Sequence, residues 1–177
     1  MLKFAGLYLD ELNKKIAEMS FKERYKYVVG SNGYSKIIEI NKDGSMQQFV
    51  EINENNEVTG YLEVLIDYQC KTFYIDFAVS FIDENNYQFI KDIYKLVTEQ
   101  FINNKDIAKL QWGATTSNPI KKSYDKIYER FEKNPKYHCQ YNIFYMCFRT
   151  YDGKLLDQCN YQIIKINDYF NRDGFKD

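Results

Sequence analysis

Turn-forming residues divide the stretch from residue 35 to residue 82 into short runs that are rich in strand-forming residues. Several runs alternate between apolar and polar residues, which is the period of a half-buried strand, and the breaks are short enough for hairpins. The sequence therefore predicts an antiparallel meander, to which the rest of the fold must adapt. The runs are SKIIEI, MQQFVEI, VTGYLEVLI and KTFYIDFAVSFI, separated by NKDG, NENN and DYQC.

The segment from Asn86 to Asn103 has the spacing of an amphipathic helix. Its apolar residues recur at steps of three and four, which places them on one helical face. The apolar run IAKLQWGA follows and predicts one more short strand. The stripe consists of Ile90, Ile93, Val97 and Phe101.

The stretch TTSNPIKKSYDKIYERF predicts a second amphipathic helix after that strand. Asn118 is a good N-cap, and Pro119 suits the first helical position because no helical hydrogen bond is lost there. The remaining lysines and acids fall on the other faces. The apolar stripe consists of Ile120, Tyr124, Ile127, Tyr128 and Phe131.

The region before residue 35 predicts two helices and no strand. The first helix lies within Leu7 to Met19. The second starts at Ser20, where SFKE has the form of a capping box: Ser20 accepts from the amide of Glu23, and the Glu23 side chain reaches back. The glycine-flanked turn from Gly30 to Gly33 ends it.

The C-terminal stretch CQYNIFYMCFRTYDGKLLDQCNYQIIKI predicts a hairpin. Asp152 and Gly153 are expected to form a type I′ turn, in which both central residues have positive φ. We therefore predict a single α/β (α+β) domain over residues 1–177, with one mixed, mostly antiparallel central sheet flanked by helices.

Composition argues against nucleic acids and membranes as partners. The 24 basic and 25 acidic residues give a net charge of −1, without general attraction to phosphate backbones or anionic lipids. The 17 tyrosines and 13 phenylalanines lack a basic stripe, so we attribute them to core and strands. A mean hydropathy of −0.58, with Asp10 and Glu11 interrupting the first apolar stretch, leads us to expect a cytoplasmic protein.

The four cysteines and the one histidine do not form a metal motif. No C-x-x-C pair occurs and no second histidine joins His138, so no metal site is predicted. Reduced thiols in strands are expected in a cytoplasm. A nucleophilic pair of His138 with one of the thiols remains open. The cysteines are Cys70, Cys139, Cys147 and Cys159.

Residues 46–166 resemble the GNAT superfamily of N-acyltransferases, and residues 1–45 form a divergent helical part. NEVTGYLEVLIDYQCKTFYIDFAVS is similar to the hairpin that leads to the family's fourth strand. SNPIKKSYDKIYERF resembles the family segment N-P-A-x-x-x-Y-E-x-x-G-F, with Asn118, Pro119 and Tyr124 in matching positions; YDGKLLD fits the terminal hairpin.

The resemblance implies a site between two central strands that splay apart to hold an acyl-CoA thioester. The backbones of Phe77, Ala78 and Val79 would bind the pantetheine arm as an extra strand. Asn118 would bind the arm through its side chain, and Tyr124 would protonate the leaving thiolate.

Ordinary structural roles compete with each of these assignments. Tyr124 lies on the same stripe as Ile120 and Phe131, so its spacing alone favours packing. Asn118 has a task as a helix cap. Gly113 is interpreted as a bulge where the strands part or as the end of its strand.

The largest departure from the family is the stretch FIDENNYQFIKD, which has no glycine where family members that use acetyl-CoA carry a glycine-rich pyrophosphate loop. Asp83 and Glu84 occupy the helix start where phosphates would dock and would repel them. In one interpretation, Asn85 and Asn86 rebuild the phosphate-binding turn. In the others, CoA binds through its pantetheine alone, or the cleft has lost CoA.

The proton acceptor is less clear than the proton donor. Alternation puts Tyr74, Asp76 and Ala78 on one face of their strand and Ile75, Phe77 and Val79 on the other. A carboxylate in an apolar strand, lying in a cleft, can take a proton from an ammonium, which makes Asp76 the leading candidate. Glu63, Asp67 and His138 compete with it, and for Asp76 and Glu63 a solvated outer face or edge is the ordinary interpretation.

Together these features predict an N-acetyltransferase that moves an acetyl group from acetyl-CoA to a primary amine on a small molecule or a protein. The alternative is a non-catalytic binding protein on the same fold, motivated by the missing loop. The exposed edges of such a sheet favour a homodimer.

Overall fold

The computed structural model describes residues 1–19, 22, 25, 37–82, 86–118, 120–150 and 152–166. Three helices lie in these ranges: α1 (Leu9–Met19), α2 (Tyr87–Val97) and α3 (Lys121–Glu132). A 3₁₀ turn, Ala5–Leu7, precedes α1, and a π-helical turn, Thr98–Ile102, continues α2. The strands are β1 (Leu2–Phe4), β2 (Met46–Ile52), β3 (Val58–Asp67), β4 (Thr72–Ser80), β5 (Lys109–Thr115), β6 (Tyr137–Arg149) and β7 (Leu155–Lys165).

The seven strands form one sheet in the order β1-β2-β3-β4-β5-β7-β6. Every neighbouring pair is antiparallel except β4 and β5, which run parallel because α2 connects them as a crossover. The predicted mixed, mostly antiparallel sheet is confirmed. The predicted meander corresponds to β2, β3 and β4.

Helices cover both faces of the sheet. The face of α2 and α3 has a core that includes Phe73, Leu110, Phe131 and Tyr161. The face of α1 has a second core, in which Leu12 and Ile16 pack with residues of β2, β3 and β4. The apolar stripes predicted for α2 and α3 face the sheet, as burial of apolar side chains requires.

Two assignments at the N-terminal end are wrong. β1 is a strand that the sequence did not predict; its three residues pair with β2, with Leu2 opposite Glu51, and are too few to show a period. The described part of the run SKIIEI, residues 37–40, is not a strand. Its Ile38 instead makes two hydrogen bonds with the side chain of Asn13 on α1: the Ile38 amide donates to Asn13 Oδ1 at 2.7 Å, and the Ile38 carbonyl accepts from Asn13 Nδ2 at 3.2 Å.

The terminal hairpin is confirmed, but its turn type is wrong. Only Gly153 has positive φ, at 82°, whereas Asp152 does not. The Gly153 amide donates to the Thr150 carbonyl at 2.9 Å, and the Thr150 amide donates to the Lys154 carbonyl at 2.9 Å. Thr150 and Lys154 thus close the hairpin, and Gly153 beside them has the left-handed conformation that glycine favours.

Several predicted features lie outside the described residues. They include the capping box of Ser20 and Glu23, the turn from Gly30 to Gly33, and Pro119. In the described ranges, none of the helices combines the length and the apolar character needed to cross a bilayer.

Candidate functional site

The sheet opens between β4 and β5. In the described residues, their register pairs only four positions, from Thr72 opposite Lys109 to Ile75 opposite Trp112. Beyond these pairs β4 continues to Ser80 and β5 to Thr115, each still paired with its other neighbour. The predicted splay of the two central strands is therefore confirmed, because β4 and β5 are not paired with each other beyond Ile75 and Trp112.

A β-bulge at Asp76 explains where the strands part. Glu63 of β3 lies opposite Phe77, but the next residue, Val64, lies opposite Ile75, so Asp76 is the extra residue of β4. A bulge bends its strand and increases the local twist, which turns the end of β4 away from β5.

The bulge also corrects the predicted alternation along β4. Ile75 and Ala78 pack on the face of α2 and α3, whereas Phe77 and Val79 pack on the face of α1. Strict alternation had put Ile75 with Phe77 and Val79, which is wrong because the extra residue shifts the period by one. Asp76 itself is exposed.

The opening forms a cleft of about 140 Å³. Its wall contains one carboxylate, that of Asp76, and no lysine or arginine. A smaller apolar cavity of about 30 Å³ lies next to it under α2 and shares Ile75, Ala78, Trp112 and Tyr124 with it. The walls of the cleft are residues 75–78 of β4, residues 112–115 of β5, Asn118, Tyr124, and Phe148 and Gln158 of the terminal hairpin.

Tyr124 is the fourth residue of α3 and contributes to the wall of the cleft. Its ring meets Trp112 and Tyr161 edge-on, with ring centroids 6.4 Å apart in both pairs. Burial, with a smaller contribution from Cys159, raises the pKa of Tyr124 to about 12. The phenol therefore keeps its proton at neutral pH, and in the described part of the chain no hydrogen bond occupies it.

A network beneath Tyr124 fixes α3 to β7. The Tyr161 ring stacks on Trp112 with centroids 5.0 Å apart, and its hydroxyl donates to Asp125 Oδ1 at 2.6 Å. Lys121 Nζ lies 2.8 Å from Asp125 Oδ2. Burial would raise the pKa of Asp125, but hydrogen bonds from Lys121 and Tyr161 outweigh it and hold this pKa below 3.8.

The sequence did not single out Trp112, Asp125 or Tyr161 as parts of the site. The spacing of Lys121 and Asp125, four residues apart on one helix, was the only local signal. The contact between Tyr161 and Asp125 joins residues 36 positions apart, so it depends on the packing of α3 against the hairpin.

Asn118 precedes α3 rather than capping it in the predicted way. The helix begins at Lys121, and the Asn118 side-chain oxygen accepts from the amide of Ile120 at 3.0 Å, which is an Asx turn. The side-chain nitrogen of Asn118 has no partner among the residues that the structure describes, and Asn118 lines the cleft. A donor is thus available at the mouth of the opening.

Gly113 lies directly after the last residue of β5 that pairs with β4. It neither ends its strand nor forms a bulge, because β5 pairs regularly with β7 from Lys109 to Thr115. A Cβ at this position would lie 3.1 Å from the Cys159 carbonyl oxygen, which is close for a carbon–oxygen contact. The glycine therefore permits a close approach of β5 and β7 at the point where β4 leaves.

The start of α2 is occupied by the protein's own groups. Asn86 caps the helix, with its side-chain oxygen accepting from the Phe89 amide at 3.0 Å. Its side-chain nitrogen donates to Glu51 Oε2 at 2.5 Å, and Thr59 donates to the same oxygen at 3.0 Å. Both ends of the Asn86 side chain, predicted to meet phosphates, are therefore already bonded. Residues 83–85, with the predicted Asn85, lie outside the described ranges.

The competing proton carriers have other surroundings. Glu63 is not solvated, as the ordinary interpretation held: it is 2% exposed and accepts from the Tyr61 hydroxyl at 2.5 Å. Asp67 accepts from the Cys70 amide at 2.8 Å in the turn after β3. His138 is half-buried on β6, with its Nε2 atom 3.2 Å from Gln140 Nε2. Of these four candidates, the cleft includes only Asp76.

The thiols and possible metal ligands form no further site in the described residues. The four cysteines are free; three lie in β6 and β7, and Cys70 lies in a turn rather than in a predicted strand. No group of three or more His, Cys, Asp or Glu side chains is placed to hold a metal ion there.

A scan against models of known protein families found no match, and neither did a search of curated protein sequences. Solved structures do match. Spermidine N-acetyltransferase from Vibrio cholerae, solved in complex with CoA and spermine, is 14% identical, covers 97% of this chain and 98% of that chain, and has a TM-score of 0.63. A probable acetyltransferase is 12% identical, with coverage of 94% and 93% and a TM-score of 0.66.

A dodecameric structure of spermidine N-acetyltransferase from Vibrio cholerae is 16% identical, with coverage of 74% of this chain and 71% of that chain and a TM-score of 0.52. At these identities the likeness shows the fold, which does not by itself assign a function. The chain has the GNAT fold, and the resemblance seen in the sequence is confirmed at that level.

Proposed function

We propose that this chain is an N-acetyltransferase that moves an acetyl group from acetyl-CoA to a primary amine by direct attack. The observation that carries the proposal is the parting of β4 and β5 beyond Ile75 and Trp112, with the protonated phenol of Tyr124 on the wall of the opening. The similar structures, which include one spermidine N-acetyltransferase solved with CoA and spermine, support the same reaction class.

The residues around the opening fit a pantetheine arm. Phe77, Ala78 and Val79 lie on β4 beyond its last pair with β5, and an extended arm with two amides can lie along this part of the strand. The free side-chain nitrogen of Asn118 adds a donor. Acetyl-CoA supplies an acyl group already activated as a thioester.

Three groups of the protein divide the chemistry. Asp76, exposed at the bulge, takes a proton from the ammonium form of the acceptor, which frees the lone pair for attack. An amide of β4 between Phe77 and Val79 stabilises the charge that develops on the carbonyl oxygen. Tyr124 gives its proton to the sulfur. A C–N bond forms and the C–S bond breaks, while the nitrogen loses its extra proton to solvent to become the amide. Solvent then returns a proton to the Tyr124 phenolate and takes the proton from Asp76.

A second candidate function is a non-catalytic binding protein on the same fold. The observation in its favour is the start of α2, where Asn86 is bonded to the buried Glu51 instead of offering a free donor. A diphosphate would gain little there and would meet a carboxylate.

We further propose that the acceptor is an amine on a small molecule or a protein, and that the chain works in the cytoplasm, consistent with its four free thiols. The match to a dodecameric structure supports self-association, for which a homodimer is the simplest form.

Calorimetry with acetyl-CoA tests the proposal. Wild-type protein is expected to bind in the micromolar range, and Ala78→Phe is expected to bind at least tenfold more weakly, because Ala78 lines the cleft and a larger ring would fill it. Ala17→Phe, at an exposed position on α1, is the matched control and should bind like wild type. Circular dichroism checks that both variants fold. The absence of binding at millimolar acetyl-CoA would favour the non-catalytic alternative.

A further inference from the structure

Strand β6 is a long edge strand without charge over most of its length. From Tyr137 to Phe148 it contains no Asp, Glu, Lys, Arg, Gly or Pro. It pairs with β7 on one side, and no described strand lies on its other side. Natural sheets protect such edges with charges, prolines or a covering element, because unpaired peptide groups recruit other strands. From Tyr137 to Phe148, β6 has neither charged residues nor prolines, although it has a bulge.

The exposed surface of β6 is mostly apolar. All seven residues from Tyr141 to Cys147 are exposed; Tyr145 is 74% exposed and Met146 is 66% exposed. A fully exposed large side chain has roughly 200 Å² of accessible surface. With their exposed fractions, six apolar residues of β6 and β7 together have roughly 600 Å² of accessible surface. The residues are Tyr141, Ile143, Phe144, Tyr145, Met146 and Leu155.

The local structure holds this surface in place. The register with β7 breaks between Phe144 and Phe148, and Met146 has a left-handed φ of 49°. The Met146 amide donates to Asp157 Oδ1 at 2.9 Å, which fixes the bulge to β7. Tyr145 and Met146 are thus presented by a bonded bulge and not by a loose loop.

We propose that the outer edge of β6 binds the same edge of a second copy of this chain, so that two sheets join antiparallel across a twofold axis. This inference names the surface through which the proposed self-association takes place. It does not depend on whether the chain is an acetyltransferase. Phe148, which follows the bulge, lines the cleft, so the interface ends beside the candidate site.

Charge and area favour a second copy over another partner. A strand without charge can lie against itself with no like charges opposed, and a twofold interface requires such self-complementarity. The roughly 600 Å² of apolar surface approaches the roughly 800 Å² that each partner buries in a standard interface, and hydrogen bonds between the strand edges would add to it. At the other edge of the sheet, β1 has only three residues.

Light scattering coupled to size-exclusion chromatography tests the inference. At about 50 μM, wild-type protein is expected to have a mass of twice 21.3 kDa, whereas Tyr145→Lys is expected to run as a single chain because two added ammonium groups would face each other. Tyr68→Lys is the matched control: Tyr68 is 67% exposed in the turn after β3, and its replacement should leave the dimer intact.

A second measurement separates loss of pairing from misfolding. Amide hydrogen exchange over residues 141–147 is expected to be slower in wild type than in Tyr145→Lys, with equal protection in β3 of both proteins. A wild type with the mass of one chain, or an assembly that Tyr145→Lys leaves unchanged, would overturn the inference. So would equal exchange over residues 141–147 in the two proteins.

Discussion

Two regions of the molecule, the opening between β4 and β5 (the open end) and the start of α2 (the capped end), use their polar groups differently. At the open end, formed by Phe77–Val79, Asn118 and Tyr124, β4 continues past its last pair with β5. In the described residues, neither the Asn118 side-chain nitrogen nor the Tyr124 hydroxyl has a hydrogen-bond partner. At the capped end, formed by Asn86 and Glu51 at the start of α2, every side-chain group of Asn86 is bonded.

This difference in hydrogen bonding indicates which part of a ligand the fold can bind. A ligand that hydrogen-bonds to a buried peptide group without a partner contributes most to the binding free energy, because such a group otherwise carries a desolvation penalty. A helix start that is already capped by its own asparagine and carboxylate gains little from an added anion. We therefore expect affinity and chemistry to come from the open end, with only a small part from the capped end.

The strongest test of the open end is Tyr124→Phe. Loss of the proton donor should lower turnover by about 100-fold while leaving acetyl-CoA affinity nearly unchanged. Because the pKa of Tyr124 is raised to about 12, the wild-type rate should show no loss from its ionisation below about pH 11. Steady-state kinetics with calorimetry measures both.

Tyr128→Phe is the control for that variant, since Tyr128 lies one turn further along α3 in the same aromatic cluster. It should change turnover no more than a few-fold. An unaltered rate in Tyr124→Phe would remove the phenol from the mechanism and would leave the cleft as a binding site only.

The support beneath the open end is tested by Tyr161→Phe. Loss of the 2.6 Å hydrogen bond to Asp125 should lower the free energy of unfolding by about 2 kcal/mol, since a bond to a charged group is broken. Urea unfolding at neutral pH measures this. A difference below about 0.5 kcal/mol would show that this hydrogen bond contributes little and that apolar packing holds α3.

The same pair of proteins gives a pH dependence. The pKa of Asp125 is below 3.8 in the folded chain, so the stability that its ionised form adds is complete above that value and is lost as the pH falls through the lowered pKa. The gap between wild type and Tyr161→Phe should therefore narrow in acid. A gap that stays constant down to about pH 2 would contradict this account.

The smallest expected effect is at the capped end. Glu51→Gln removes a carboxylate beside the start of α2 and keeps an oxygen for Asn86 and Thr59, so CoA affinity should rise about two- to fivefold. Calorimetry with CoA measures it, and Glu57→Gln at an exposed turn is the control. A loss of affinity of tenfold or more would show that the capped end takes part in binding and would end the comparison.

Much of the fold could be predicted from local patterns. The runs that became β2, β3 and β4 and the stripes of α2 and α3 are periodic over seven or more residues, so the sequence predicted their type and approximate position. The placement of Tyr124 near the start of a helix that follows a buried strand agrees with the same periodicity.

The failures share one cause, which is that the decisive contact lies far away in the chain. The bulge at Asp76 is a mismatch of register between β3 and β4, so it cannot be read from β4 alone. The run around Ile38 does not form the predicted strand; the Ile38 amide donates instead to the side chain of Asn13, 25 residues earlier. Glu51 reaches Asn86 across 35 residues.

By itself, the sequence determined which segments are strands and helices and which of their faces are apolar, because these properties repeat every two or every 3.6 residues. Only the tertiary structure decided where β4 leaves β5 and which polar groups remain without a partner. Those outcomes depend on hydrogen bonds and packing between strands and helices that are distant in sequence. Breaking such a hydrogen bond would leave a buried polar group without a partner, which costs free energy.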